Sequence, residues 1–293
     1  MISIKNVTKK IDDTEILKNI SLDIEKGTVF GLLGKNGAGK TSLLKALAGV
    51  WSVEEGEIKI NNQDVYENIN IKKGIGYVPD RYTDFSYYKV KRLKKMYNEV
   101  YDSFDKSCFD DLLEKFNIKP ESTLRSLSKG MMMKLEIILA LSIKPMLLLM
   151  DEPTSGLDPL AQKAFIEILM DDVNTRKTTV IISSHILSDI EKVCNSIGVI
   201  DNGEMIYTGN LDETKEKYKK LQVFFKDESQ LSKLKEKVGI LSEDISGKVY
   251  TFVSDSPIEK IEYLIEKTNC KVLGSIPVPM EDIFMYLTEG GKV

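Results

Sequence analysis

The stretch GKNGAGKT, Gly34 to Thr41, constrains this chain more than any other. It follows a continuous β-prone run, Thr28 to Leu33, and precedes Leu43, Leu44 and Leu47 at helical spacing, with Gly49 as the stop. Strand, glycine loop and helix in that order fit the phosphate-loop pattern G-x-x-x-x-G-K-[ST]. Glycines let such a loop turn its N–H groups inward, and the helix N-terminus adds positive potential for an anion. Gly34, Lys35, Asn36, Gly37, Ala38, Gly39, Lys40, Thr41 and Ser42 are therefore the candidate phosphate-binding set. In this pattern Lys40 reaches the β- and γ-phosphates and the Thr41 hydroxyl holds Mg²⁺. The bland reading is a glycine turn carrying a surface lysine, and the flanking elements disfavour it.

A second buried run, Leu147 to Met150, ends in Asp151, Glu152 and Pro153. Carboxylates at the C-terminal edge of a buried strand are where a doubly wound sheet places ligand groups. Asp151 is the candidate Mg²⁺ ligand, and Glu152 the group that polarises an attacking water. Alone, the pair reads equally well as acids capping a helix. A third run, Thr178 to Ser183, precedes His185, the single histidine of the chain. A lone histidine is more often a cap or a core residue. Its place at a strand end, beside the phosphate end of the sheet, favours a γ-phosphate contact.

These runs bracket a helical segment, so they imply a parallel sheet with crossover helices and an α/β fold. Ile2, Ile4 and Val7, then Ile20, Leu22 and Ile24, and then Ile58 and Ile60 alternate as an antiparallel sheet would. From Asp80 to Ile143 the period is helical, and Asn202-Gly203 marks a closing hairpin. Past the charge run Lys215 to Lys220 the texture changes. Strands are expected at Val223 to Phe225 and Val249 to Val253, with a helix at Pro257 to Glu266. The expected division is 1–216 for the main domain, with a helical subdomain at about 81–143, and 217–293 for a small α+β accessory domain. No internal repeat or low-complexity tract is present.

Composition narrows the function classes. A net charge of −4 over 293 residues gives no electrostatic reason to expect nucleic acid. Cys108, Cys194 and Cys270 lack metal-ligand spacing, which suits a reducing compartment. The start, MISIKNVTKK, has no apolar signal region, and the apolar stretch Leu135 to Met150 is broken by Lys144-Pro145. A soluble chain is expected, with any membrane role supplied by a partner.

Between the glycine loop and the acid pair lies Leu127-Ser-Lys-Gly-Met131, at the mouth of an apolar helix. Glycine loop, LSKGM, LLLMDEP, TSGLD and a distal histidine form an ordered set that resembles the ATP-binding cassette (ABC) ATPases over about Ile2 to Asn210. The resemblance implies a RecA-like core with an antiparallel β subdomain and a helical subdomain. It implies hydrolysis of ATP with Mg²⁺, by Glu152 and His185, between two cassettes in a homodimer or heterodimer. Ser128 and the Gly130 amide would contact the ATP held by the opposite cassette. Ser155 to Asp158 would cross the dimer, with Asp158 in the nucleotide-binding set. The methionines are then packing behind the loop.

Departures from the family pattern are local. Lys129 and Met131 stand where glycine and glutamine are usual, and Asp80 stands where a glutamine reaches Mg²⁺, which a shorter carboxylate can do through water. Ile11 replaces an aromatic that stacks on adenine, which implies relaxed base selectivity. The signature, the GYVPD segment and Glu281 to Leu287 resemble exporter ATPases of the ABC-2 type. Such subunits serve a separate integral-membrane permease on the inner face of the cell membrane. Tyr82, Phe85, Tyr87 and Tyr88 either pack the helical subdomain or receive that permease. The competing class is a soluble ABC ATPase acting on ribosomes or DNA. One cassette per chain, and only 87 residues from Lys40 to before Ser128, disfavour it.

Overall fold

The computed structural model describes residues 1–80, 85–154, 157–268 and 270–289. The alternating apolar residues at the start form β1 (Ile2–Ile11) and β2 (Thr14–Ile24), paired antiparallel. Asp12 and Asp13, at φ 47° and 63°, make the tight turn between them. After β3 (Val29–Leu33), which belongs to another sheet, β4 (Glu55–Ile60) and β5 (Gln63–Asp64) complete the order β2-β1-β4-β5. Ile2, Ile4, Ile20 and Ile60 point into one shared core with Leu43, Leu44 and Leu47 of α1 (Lys40–Leu47). Gly49, at φ 65°, stands just past the end of that helix, as expected for a left-handed stop.

The central sheet adds β6 (Ile75–Val78), β7 (Leu147–Asp151), β8 (Thr179–Ser184), β9 (Ser196–Asp201) and β10 (Glu204–Asn210), in the order β10-β9-β3-β8-β7-β6. Strand β3 pairs parallel with β8 and β9, and β7 pairs parallel with β8 and β6. Leu147 to Met150 are all fully buried, because a parallel strand covered on both faces has no polar side to show. Strand β6 carries only four residues, with Gly76 and a half-buried Tyr77 among them, too short for its periodicity to announce it.

Apart from β6, the described residues between β5 and β7 are mainly helical. They hold α2 (Ile69–Lys72), α3 (Val90–Val100), α4 (Lys106–Lys115) and α5 (Lys129–Ser142), with a single bridge between Lys89 and Thr123. Asp105 caps α4 by accepting two backbone N–H bonds, and Phe109, Leu113, Leu135 and Ile138 make a separate core for this region. Helix α6 (Pro159–Arg176) crosses from β7 to β8, and α7 (Leu187–Ile190) leads toward β9.

The chain falls into two compact units, Met1–Thr208 and Gly209–Val293. The division precedes the 216/217 boundary expected from the charge run. Helix α8 (Leu211–Lys217) explains the difference: Asn210 caps it, Leu211 and Thr214 are buried, and the charged residues of the run lie beyond that start. The second unit continues with β11 (Lys219–Phe224), α9 (Glu228–Lys235), β12 (Ser242–Ser246), β13 (Val249–Ser254), α10 (Ile258–Lys267), β14 (Lys271–Ile276) and α11 (Met280–Glu289). Its sheet, β12-β13-β11-β14, is antiparallel throughout, a βαββαβ arrangement of the ferredoxin-like kind. Strands β12 and β14 escape a pattern reading because both are edges, with exposed residues on both faces.

Leu149→Ala removes side-chain volume from the middle of β7, where no neighbour can close the gap. It should lower the unfolding free energy by about 2–5 kcal/mol, read by urea titration. An unchanged transition would contradict a closely packed centre.

Candidate active site

The phosphate loop joins the C-terminal end of β3 to α1. A Cβ on Gly34 would come within 2.5 Å of the Ile200 carbonyl oxygen, and Gly39 holds φ at 113°, so both positions demand glycine. Lys40 is buried and folds back over the loop. Its Nζ donates to the carbonyl oxygens of Gly34 at 2.7 Å and Lys35 at 3.3 Å. Next to it, Thr41 Oγ1 donates to Asp151 Oδ2 at 2.7 Å.

Parallel register does the rest of the positioning. Asp151 lies across from Ser183, and the Ser183 hydroxyl donates to Asp151 Oδ1 at 2.6 Å. Ser183 Oγ in turn accepts the Glu152 N–H at 3.1 Å, and the Ser183 carbonyl oxygen lies 3.2 Å from that nitrogen. Glu152 is thereby held at φ 51°, a left-handed backbone that is unfavourable for a non-glycine residue and persists only where neighbours enforce it. Its carboxylate spans two partners: Oε1 is 3.5 Å from Lys40 Nζ, and Oε2 is 2.7 Å from His185 Nδ1.

Lys40, Thr41, Asp151 and Glu152 line a cavity of about 230 Å³ together with Ile16, Lys35, Asn36, Gly37, Gly39, Ser42 and Asp80, while Ser183 and His185 stand behind that lining as partners of the two acids. Of the loop residues expected to bind phosphate, Gly34 and Ala38 are not in its lining. Gly34 contributes a carbonyl to Lys40, and Ala38 is buried with its N–H on the Lys35 carbonyl. The Thr41 hydroxyl and the Asp151 carboxylate converge as hard oxygen donors. That small set fits Mg²⁺, which takes one or two carboxylates and completes its shell with phosphate and water. Nearby, the Tyr77 hydroxyl is buried without a hydrogen-bond partner. Burial, and then the charges of Asp151 and Asp80, push its pKa up.

Other expected residues lie elsewhere. Ser128 caps α5, its Oγ accepting the Met131 N–H at 3.2 Å, and Gly130 sits in the first turn of that helix. Asp158 caps α6 through the Ala161 N–H at 3.0 Å, with Lys134 Nζ 3.9 Å from its carboxylate. None of the three lines the cavity of its own chain. Met131 and Met132 pack against the core of the helical region, and Met133 is buried. Ser155 and Tyr82 lie outside the described residues. Ile11 ends β1, exposed and outside the lining.

Sequence reasoning missed Ile16, Ser183, Tyr77 and Glu136. Ser183 was within reach, since it sits two residues before His185 and pairs in register with the first acid. Glu136 sits in an apolar helix with nothing in the pattern to single it out. It is buried on α5, and burial, reinforced by the charge of Asp80, raises its pKa to about 8.

The comparisons with known proteins agree with this geometry. Residues 17–155 match the family model described as ABC transporter. The ABC transporter ATP-binding protein YtrB of Bacillus subtilis (strain 168) is 32% identical over 292 residues, spanning 100% of this chain and 99% of that protein. The chain belongs to the ABC transporter ATP-binding proteins. Other relatives of this ABC ATPase carry opposite directions in their names. The methionine import ATP-binding protein MetN of Clostridium tetani (strain Massachusetts / E88) is 32% identical over 85% of this chain and 79% of its own. The Nod factor export ATP-binding protein I of Cupriavidus metallidurans (strain ATCC 43123 / DSM 2839 / NBRC 102507 / CH34) is 29% identical over 98% and 97%. A solved ATP-binding subunit of an ABC transporter superimposes with a TM-score of 0.68 at 25% identity, covering 74% of this chain and 92% of the other. The ABC cassette fold and the ATPase class are thereby those of this chain.

Glu136 makes the stability of the ABC cassette pH-dependent. Below its ordinary pKa of 4.5 the carboxyl is protonated whether folded or not. Between 4.5 and about 8 the folded chain keeps a proton that the unfolded chain releases, so stability falls as pH rises, then levels off. Glu136→Gln should remove this decline, ~5 kcal/mol at most, from unfolding free energies measured between pH 5 and 9. Parallel pH profiles for the two proteins would place the Glu136 carboxyl in water.

Proposed function

We propose that the chain powers an exporter: two cassettes close over two MgATP molecules, hydrolyse them, and drive a separate integral-membrane permease on whose inner face they sit. The observation that carries the chemistry is the Glu152 carboxylate, set between Lys40 and His185 at the mouth of the cavity. Among the described residues, two loop carbonyls and Glu152 satisfy Lys40. A triphosphate is the stronger partner, so its β- and γ-oxygens draw Lys40 off Glu152. Glu152, no longer engaged by Lys40, then accepts a hydrogen bond from water in line with the γ-phosphorus, with His185 orienting the carboxylate and the departing phosphate. The new bond forms from the water oxygen to phosphorus as the bond to the β-bridging oxygen breaks, and the water proton passes to Glu152.

Thr41 and Asp151 would hold Mg²⁺, with Asp80 contributing through water. When bound, the ion would supply positive charge that offsets the phosphate oxygens. Ser128 completes the site across the cassette interface. Its Oγ already accepts from Met131, which leaves the hydroxyl proton to donate to a phosphate oxygen of the opposite cassette. Closure and opening supply the differential binding that moves the permease between two states. Phe85 and Tyr87, exposed near the start of the helical region, are candidates for the permease contact. Among the described residues no helix is long and apolar enough to cross a membrane. Support for export rather than import comes from the Glu281 to Leu287 segment and from the relative named for Nod factor export, which is matched nearly end to end.

Glu152→Gln should retain ATP binding, lose at least 100-fold in turnover, and accumulate a closed dimer detectable by sedimentation. Normal hydrolysis by that variant would remove Glu152 from the mechanism. At the base, Ile11→Tyr restores an aromatic face and should tighten ATP binding by about 1 kcal/mol, roughly fivefold, in a direct titration. No gain would mean that the base does not lie over that strand end.

A further inference from the structure

The sheet of the second unit ends in two unlike edges. Strand β12 carries Glu243 and Asp244, and Glu243 is tied to Lys235 at 2.8 Å and to the Tyr250 hydroxyl. Charged residues of this kind are how native sheets discourage pairing. The opposite edge, β14, reads Lys-Val-Leu-Gly-Ser-Ile and has one charge, at its first residue. Its partner β11 occupies one side, and among the described residues no strand pairs with the other.

Apolar side chains line this bare edge. Val272, Leu273 and Ile276 are exposed to 43%, 52% and 39%. Val272 lies across from the fully buried Val223, so it stands on the core face of the sheet yet is left uncovered where the sheet stops. The register shifts between Gln222 and Val223, which leaves Leu273 as the extra residue of a bulge and turns it out of the normal alternation. A bulge twists an edge, but it brings no charge or proline to block a second strand.

We propose that β14 pairs with β14 of a second copy of this chain, antiparallel about a two-fold axis, to join two four-stranded sheets into one of eight strands. Self-pairing satisfies the free edge of both copies with one interface and closes at two, whereas β14 against β12 would build an open filament and set apolar residues on Glu243 and Asp244. Charge selects the direction. Lys267 and Lys271 flank the start of the strand, and Glu281 and Asp282 follow its end in the first turn of α11. Antiparallel pairing brings each basic end toward the acidic end of the other copy, while parallel pairing would set lysine on lysine. This association needs no nucleotide and is separate from ATP-driven closure.

The test is sedimentation of the full chain without nucleotide, over a range of concentration. The wild type should show a concentration-dependent dimer. Leu273→Lys combined with Ile276→Lys should weaken it at least tenfold, and Ile245→Lys, at an exposed position of β12, should leave it unchanged. In a Cys108→Ser background, single cysteines are placed in turn at 272, 273, 274 and 275; the positions nearest the two-fold axis should cross-link between chains under mild oxidation, and those farther along the strand should not. Ser246→Cys, on β12, should not. A wild type that stays monomeric, equal weakening by the β12 variant, or cross-linking at Ser246→Cys in place of β14 overturns the proposal. Failure of the Glu152→Gln chain to form an ATP-trapped dimer would bear on the hydrolytic reading alone.

Discussion

The buried contact between Lys40 and Glu152 organises the site. An ammonium removed from water needs compensation from acceptors close at hand, and here two loop carbonyls and one carboxylate provide it. The arrangement ties Lys40 to the loop and to β7's end, and it sets a condition on any ligand. Whatever enters must satisfy Lys40 better than Glu152 does. A triphosphate meets that condition with several charged oxygens, and under the proposed mechanism its arrival would release Glu152 for the reaction, so that binding and activation would be one exchange of partners.

That contact depends on strand register. Three parallel strands, β3, β7 and β8, end at one edge of the sheet, and each delivers one part: the phosphate loop, the two acids, and Ser183 with His185. A slip of one residue between β7 and β8 would move Asp151 off Ser183 and release Glu152 from the backbone geometry that the serine enforces. The fully buried residues of these strands fix that register, since a slip would turn their side chains out of place. Core packing is therefore what positions the chemistry.

Much of this was legible because the motifs carry their own context. Gly34 to Thr41 sits between a buried run and a helical period, and Leu147 to Glu152 ends a buried run with acids. Both patterns follow from steric and electrostatic needs that any fold must meet. What was not legible depends on contacts distant in sequence. Ile16 enters the cavity only because β2 passes beside the loop, where its carbonyl lies 3.0 Å from where a Gly39 Cβ would be. Tyr77 and Glu136 matter only because α5 packs on β6, where a Cβ on Gly76 would sit 3.2 Å from the Ala140 carbonyl. The edge strands β12 and β14 lack a buried face, so the alternation that reveals other strands is missing from them. The accessory unit's two-layer order came from pairing, which short polar strands do not encode locally.

Charge around the cavity carries the reading one step further. Among the described residues its lining holds Lys35 and Lys40 against Asp80, Asp151 and Glu152, so cations are outnumbered before any phosphate arrives. Glu136, behind Asp80, stays protonated near neutrality, and one more negative charge there would be unfavourable. A bare triphosphate entering this site would meet three carboxylates and only two ammonium groups. Like charges at such distances in a partly buried site repel by several kcal/mol. A divalent cation held by Thr41 and Asp151 would remove the conflict by supplying positive charge to both the acids and the phosphate. Asp80 sharpens that requirement, because an amide at this position would leave the lining with balanced charge. On this reading nucleotide and metal enter as one ligand, and the same acids that repel phosphate alone hold the pair in register with Glu152.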